Sequence, residues 1–81
     1  MAHITLTPSL AQFADGERTL DLDVVSVKDL FAQLGQRHPG LIPHLEDNVA
    51  VAIDGQIFQG ALFEPINPDS DVHLLPMLAG G

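Results

Sequence analysis

The sequence closes on Pro76-Met77-Leu78-Ala79-Gly80-Gly81, and a glycine pair ending in a free carboxylate is its plainest reactive arrangement. With glycine at about 7% of positions, two such residues fall at a chain end by chance in roughly 0.5% of proteins, so the signal is specific for its length. Glycine has no side chain and few backbone restrictions, which lets such an end enter a narrow channel and present its carboxylate inside another protein. At about 3.3–3.6 Å per residue, six residues reach roughly 20 Å. A free carboxylate is a poor acylating agent because its leaving group is strongly basic. Attack on the α-phosphate of ATP replaces that group with a good one, and a sulfur or nitrogen nucleophile can then take the acyl group. The chain has no glycine-rich phosphate loop, so the activating machinery must belong to another protein. The candidate site residues are therefore Gly81, as carrier of the activated acyl group, and Gly80. Leu75, Met77 and Leu78 are apolar residues at a strand end and on a tail, and with Pro76 and Ala79 they read as a docking strip for partner enzymes. Phe58 or Phe63 extends it.

Other chemistry is poorly supplied. There is no cysteine, hence no disulfide, thiol nucleophile or thiolate-bound metal, which fits a cytoplasmic protein. His3, His38, His44 and His73 have no close metal-ligand spacing, and no metal site is expected. Three Lys or Arg against eleven Asp or Glu leave a net charge of -8, which repels phosphate backbones and anionic lipid heads. Nucleic acids and membrane surfaces are poor partners for such a field. No apolar run approaches the ~20 residues of a spanning helix, and no basic segment followed by an apolar run marks a signal peptide.

The elements that must position the tail follow from periodicity. With 81 residues there is room for one domain, and 46% hydrophobic against 17% charged residues fits a folded chain. His3-Ile4-Thr5-Leu6-Thr7 alternates as a half-buried strand, Pro8 ends it, and Asp15-Gly16 turns the chain back. Residues 18–24 alternate again, with Leu20, Leu22 and Val24 on one face. Val27, Leu30, Phe31 and Leu34 then follow i, i+3, i+4, i+7, a helix capped by Ser26 and stopped at His38-Pro39-Gly40. Residues 41–45 read as a short turn of helix or irregular cover. Val49-Ala50-Val51-Ala52-Ile53 is a strand apolar enough to be covered on both sides, and Asp54-Gly55 joins it to a short partner at 56–58. Residues 64–71 connect to a last strand at 72–75. Strand, strand, helix, strand, short strand, strand describes an α+β β-grasp domain: a mixed sheet of four to five strands under one main helix, with residues 1–75 as domain and 76–81 as a flexible Gly-Gly tail. The expected core is Ile4, Leu6, Leu20, Leu22, Val24, Val27, Leu30, Phe31, Leu34, Val51, Ile53 and Leu74.

Three stretches carry a resemblance: residues 27–34 with the Pro39-Gly40-Leu41 that follows, residues 49–55, and above all residues 69–81. There the sequence resembles the ubiquitin-like sulfur carrier family, which includes the small subunit of molybdopterin synthase and the thiamine-pathway sulfur carrier. The resemblance implies that an activating enzyme using ATP and magnesium adenylates Gly81, and that sulfur transfer makes it a thiocarboxylate. It further implies a non-catalytic protein co-substrate with no bound cofactor. Its partners would be an adenylating enzyme, a sulfurtransferase or desulfurase as sulfur donor, and a sulfur-accepting synthase in molybdopterin, cysteine or similar biosynthesis. Met77 stands where the family more often has Pro or Ala, and Ser70 where it more often has Gly. The stretch after the first strand lacks the Arg-Glu element common in molybdopterin synthase small subunits. A protein modifier forming isopeptide bonds through Gly81 requires the same terminus, and a plain interaction domain requires none of it.

Overall fold

The structure is a computed structural model and describes residues 1–45 and 49–77. Strand β1 (Ala2–Leu6) is followed by a four-residue helix α1 (Pro8–Ala11), β2 (Thr19–Leu22) and the main helix α2 (Val27–Arg37). A 3-10 helix (Pro39–His44), β3 (Val49–Ile53), β4 (Gln56–Phe58) and β5 (Asp71–Pro76) complete it. The five strands form one sheet in the order β2-β1-β5-β3-β4, in which only β1 and β5 run parallel. β2 is antiparallel to β1 and β3 antiparallel to β5, so β2 and β3 point the same way and α2 is the crossover between them. This is the expected β-grasp arrangement, with the last strand in its middle.

Local chemistry explains each boundary. The Asp29 amide donates to the Ser26 hydroxyl at 3.2 Å while the Asp29 carboxylate accepts from the Val25 amide at 3.1 Å, a reciprocal cap that starts α2. At its other end His38 leaves helical geometry with φ -134° and ψ 85°, as a residue before proline must. Asp54 and Gly55 have φ of 50° and 89°, the paired left-handed conformation of a two-residue hairpin turn. That turn pairs Ile53 with Gln56, Ala52 with Ile57 and Val51 with Phe58.

All residues expected in the core are buried, between the inner face of the sheet and α2. Leu10, Ala11 and Ala14 join them from α1 and the turn after it, as do Leu41 and Leu45 near the 3-10 helix, Ile66 from the long connection, and Val49 and Val72. Two expectations change. Pro8 does not simply end a strand; it opens α1, where its missing N–H costs no helical hydrogen bond and its fixed φ suits a first turn. β3 turns Val49, Val51 and Ile53 inward but is not sandwiched: on its outer face Ala50 lies beside Leu75 and Ala52 beside His73, small side chains shaded by sheet neighbours. Among the described residues no helix is long and apolar enough to cross a membrane.

Candidate functional site

β5 is the element that delivers the C-terminus. It lies between β1 and β3, its register fixed on both sides: Leu74 is level with Leu6 and with Val51, and Pro76 with Val49. A second device holds its beginning. Asp54 of the β3–β4 turn accepts the Asp71 amide at 2.9 Å and the Ser70 hydroxyl at 3.0 Å, and its own amide donates to the Asp71 carbonyl at 2.9 Å. Ser70, 2% exposed, accepts the Asn67 amide at 3.1 Å through the same hydroxyl. The Ser70 hydroxyl thereby ties two loops together.

Strand alternation sends Val72 and Leu74 into the core and turns Asp71, His73 and Leu75 to the outer face. Leu75 is half-buried, Pro76 is exposed and ends the strand, and Met77 is 38% exposed just beyond it. Around Leu75 the sheet presents Ala50, Ala52 and Ile57, a shallow apolar surface with Ile57 63% exposed at its β4 edge. Leu78, Ala79, Gly80 and Gly81 lie outside the described residues. The structure thus brings Leu75, Pro76 and Met77 to one end of the central strand, with apolar floor beside them.

Phe58 does not extend this strip. It is level with Val51, on the inner face, and packs against the core. Ile57, one residue earlier, takes the outward place. Phe63 is 82% exposed but sits at the start of α2, its ring 5.7 Å from the Lys28 ammonium, on the helix side of the sheet. Ile57 could have been found from sequence, since a two-residue Asp-Gly turn fixes the hairpin register and a core Val51 carries Phe58 inward with it.

The histidines are tied to the fold. His3 Nδ1 lies 3.0 Å from Asp21 on the outer face, His73 Nε2 lies 3.8 Å from Asp71, and His44 stacks on Phe13 at 4.0 Å between centroids. His38, nearly buried, places Nε2 2.7 Å from Glu17, which also accepts from Arg37 Nε at 3.2 Å. Those hydrogen bonds, from His38 first and then Arg37, hold the Glu17 carboxyl below the ordinary glutamate range. The cluster fastens the loop before β2 to the end of α2. Among the described residues no three His, Asp or Glu stand together as metal ligands.

Comparison with known proteins agrees with this geometry. The sequence pattern of the ThiS family matches residues 4–81. The crystal structure of SAMP1, small archaeal modifier protein 1, from Haloferax volcanii superimposes with a TM-score of 0.79 at 29% identity, over 99% of this chain and 98% of that one. A chain of the Amycolatopsis orientalis BexX/CysO complex superimposes with a TM-score of 0.83 at 19% identity, over the whole of both chains. Mycobacterium tuberculosis CysO gives 0.83 at 16% identity, over 96% of this chain and all of that one. The last two, at such low identity, speak for the fold alone. No curated protein sequence matches the chain.

Proposed function

The chain belongs to the ThiS family, and on that premise we propose that it is a sulfur carrier: a protein co-substrate whose Gly81 carboxylate is adenylated, converted to a thiocarboxylate and consumed as a sulfur donor. The observation that carries the reading is the family match, which runs from residue 4 through Gly80-Gly81. A central strand paired on both sides, held at its beginning and ending beside an apolar outer face supports it. In the proposed cycle the carboxylate oxygen attacks the α-phosphorus of ATP, held with magnesium on the activating enzyme, and pyrophosphate leaves. Hydrosulfide attacks the acyl carbon and AMP leaves; where a sulfurtransferase or desulfurase supplies the sulfur as a persulfide, its outer sulfur attacks instead, and a second thiol then takes the inner sulfur into a disulfide and releases the thiocarboxylate. The resulting thiocarboxylate gives its sulfur to an acceptor held by a synthase in a route such as molybdopterin or cysteine formation, and water restores the carboxylate. This chain supplies the acyl group and the docking face; the catalytic groups belong to its partners.

The test is intact mass. Incubated with an adenylating enzyme of this family, ATP, magnesium and sulfide, the protein should gain about 16 Da as C–OH becomes C–SH. Deleting Gly81, or adding one residue after it, should abolish the gain while leaving the melting temperature unchanged. An extended variant that still gains sulfur without being trimmed would sink the proposal.

The likeness to SAMP1, a small archaeal modifier protein, at 29% identity favours a second reading as a protein modifier joined through Gly81 to lysines of other proteins. Lys28 is the chain's only lysine, so its polymers would have one side-chain linkage. Slower-migrating, denaturant-resistant conjugates of a tagged chain that vanish without Gly81 would support this reading; their absence beside a sulfur-bearing terminus would exclude it.

A further inference from the structure

Away from the outer sheet face, α2 and the 3-10 helix enclose a half-open cavity of about 460 Å³. Its walls are Phe31, Ala32, Ile42, Leu45 and Leu62. Gly35 forms part of the floor: a Cβ there would lie 3.0 Å from Ile42 Cγ1, so the absent side chain is what lets Ile42 lie against the helix. Ile42 is nevertheless 58% exposed, an aliphatic side chain left in water at the rim. Among the described residues Lys28 is the only charged member of the lining and Gln36 the only other polar one.

Lys28 is oddly placed for a purely structural residue. It is the second residue of α2, where the helix dipole is positive and a cation is unfavourable. The chain has only three Lys or Arg. Arg37 pairs with Glu17 and Arg18 donates to the Leu6 carbonyl, whereas Lys28 faces only the Phe63 ring and has no carboxylate within ion-pair distance among the described residues. Among the described residues, Lys28 is thus a cation without a carboxylate partner at the mouth of an apolar cavity.

We propose that this cavity binds a single aliphatic chain bearing one carboxylate, with the head group on the Lys28 ammonium and the chain laid over Ala32 between Ile42, Leu45 and Leu62. The size falls in the range of small-molecule sites. Charge complementarity selects this occupant: a lone carboxylate pairs with the local cation, whereas an acidic protein face would bring many further negative charges against a chain already at -8. The site is independent of Gly81 and of the reading given to it.

Decanoate, decanol and decylamine are the probes, titrated against ¹⁵N-labelled protein below their aggregation limits. Decanoate should shift the Ala32, Gly35, Ile42 and Leu62 amides saturably, decanol should bind more weakly at the same residues, and decylamine weakest of all. Lys28→Gln should weaken decanoate roughly five-fold and leave decanol unchanged, as loss of a partly exposed charge pair predicts. Ala32→Trp, a change at an exposed helix position, should abolish both without lowering the melting temperature. Equal binding of decanoate to the parent and Lys28→Gln, or shifts confined to other residues, would overturn the assignment. So would groove shifts that grow with protein concentration alone beside a doubled mass in sedimentation, because a second copy would then be the occupant.

Discussion

Met77, just past the end of β5, and Ile57 on β4 frame the outer surface around Leu75, and neither contributes to the core. Met77→Asp should therefore weaken binding to the activating enzyme at every ionic strength, through faster dissociation, because it places an unpaired charge in a buried contact. Its melting temperature should stay within a degree or two of the parent; unchanged binding in surface plasmon resonance, with a large fall in melting temperature, would make Met77 a core residue instead. Glu17 makes a different prediction. Its carboxyl titrates below the ordinary glutamate value in the folded chain, so its contribution to stability is complete above that ordinary value and disappears as pH falls through the lowered one. Glu17→Gln should flatten the acid limb of melting temperature against pH and leave the rest of the curve parallel to the parent. An unchanged acid limb would show that the His38 and Arg37 contacts do not persist in solution. The reading of Gly81 rests on residue type alone, whereas the place of Phe58 was misread, and the two differ for a physical reason. The first depends on chain chemistry, the second on which way a three-residue strand faces, and only the hairpin register decides that.

At the scale of elements, α2 was legible because its apolar stripe repeats over three turns and its cap is spelled out by Ser26 and Asp29. Leu30 and Leu34 have no exposed surface, and truncating either to Ala should cost roughly 2–5 kcal/mol by denaturant unfolding. Helix α1 was not legible: four residues are too few to show a period, and its buried side, Leu10 and Ala11, exists only because the sheet is beneath it. The Asp54 clamp was hidden for a related reason. Asp-Gly announces a turn, but nothing local says that the carboxylate will reach Ser70 and Asp71, sixteen and seventeen positions away. Substitutions separate its two duties: Asp54→Gly keeps the left-handed turn and loses the clamp, whereas Asp54→Ala loses both. Thermal melts should rank the parent above Asp54→Gly, and Asp54→Gly above Asp54→Ala by about 1 kcal/mol, the usual cost of a left-handed alanine. Reversal of the last two would mean that φ at this position is unstrained.

For the whole molecule, the -8 charge and the apolar outer face act over different distances. The first should raise the association rate with a basic partner and fade as salt approaches physiological strength, where the screening length is about 8 Å; the second should govern dissociation and ignore salt. A stopped-flow salt series in which the association rate does not fall would remove steering from the account. The sheet order bears on something other than binding. The strand that a ribosome makes last of the five is the one that sits in the middle, so until residues 71–76 have emerged, β1–β2 and β3–β4 are two hairpins with no strand joining them. A nascent chain halted short of that point exposes two unpaired edges and half a core, the condition that proteases recognise. Completion of the fold thus waits until translation is within a few residues of Gly80-Gly81, and a chain ending before residue 71 should be digested by protease much faster than the full one.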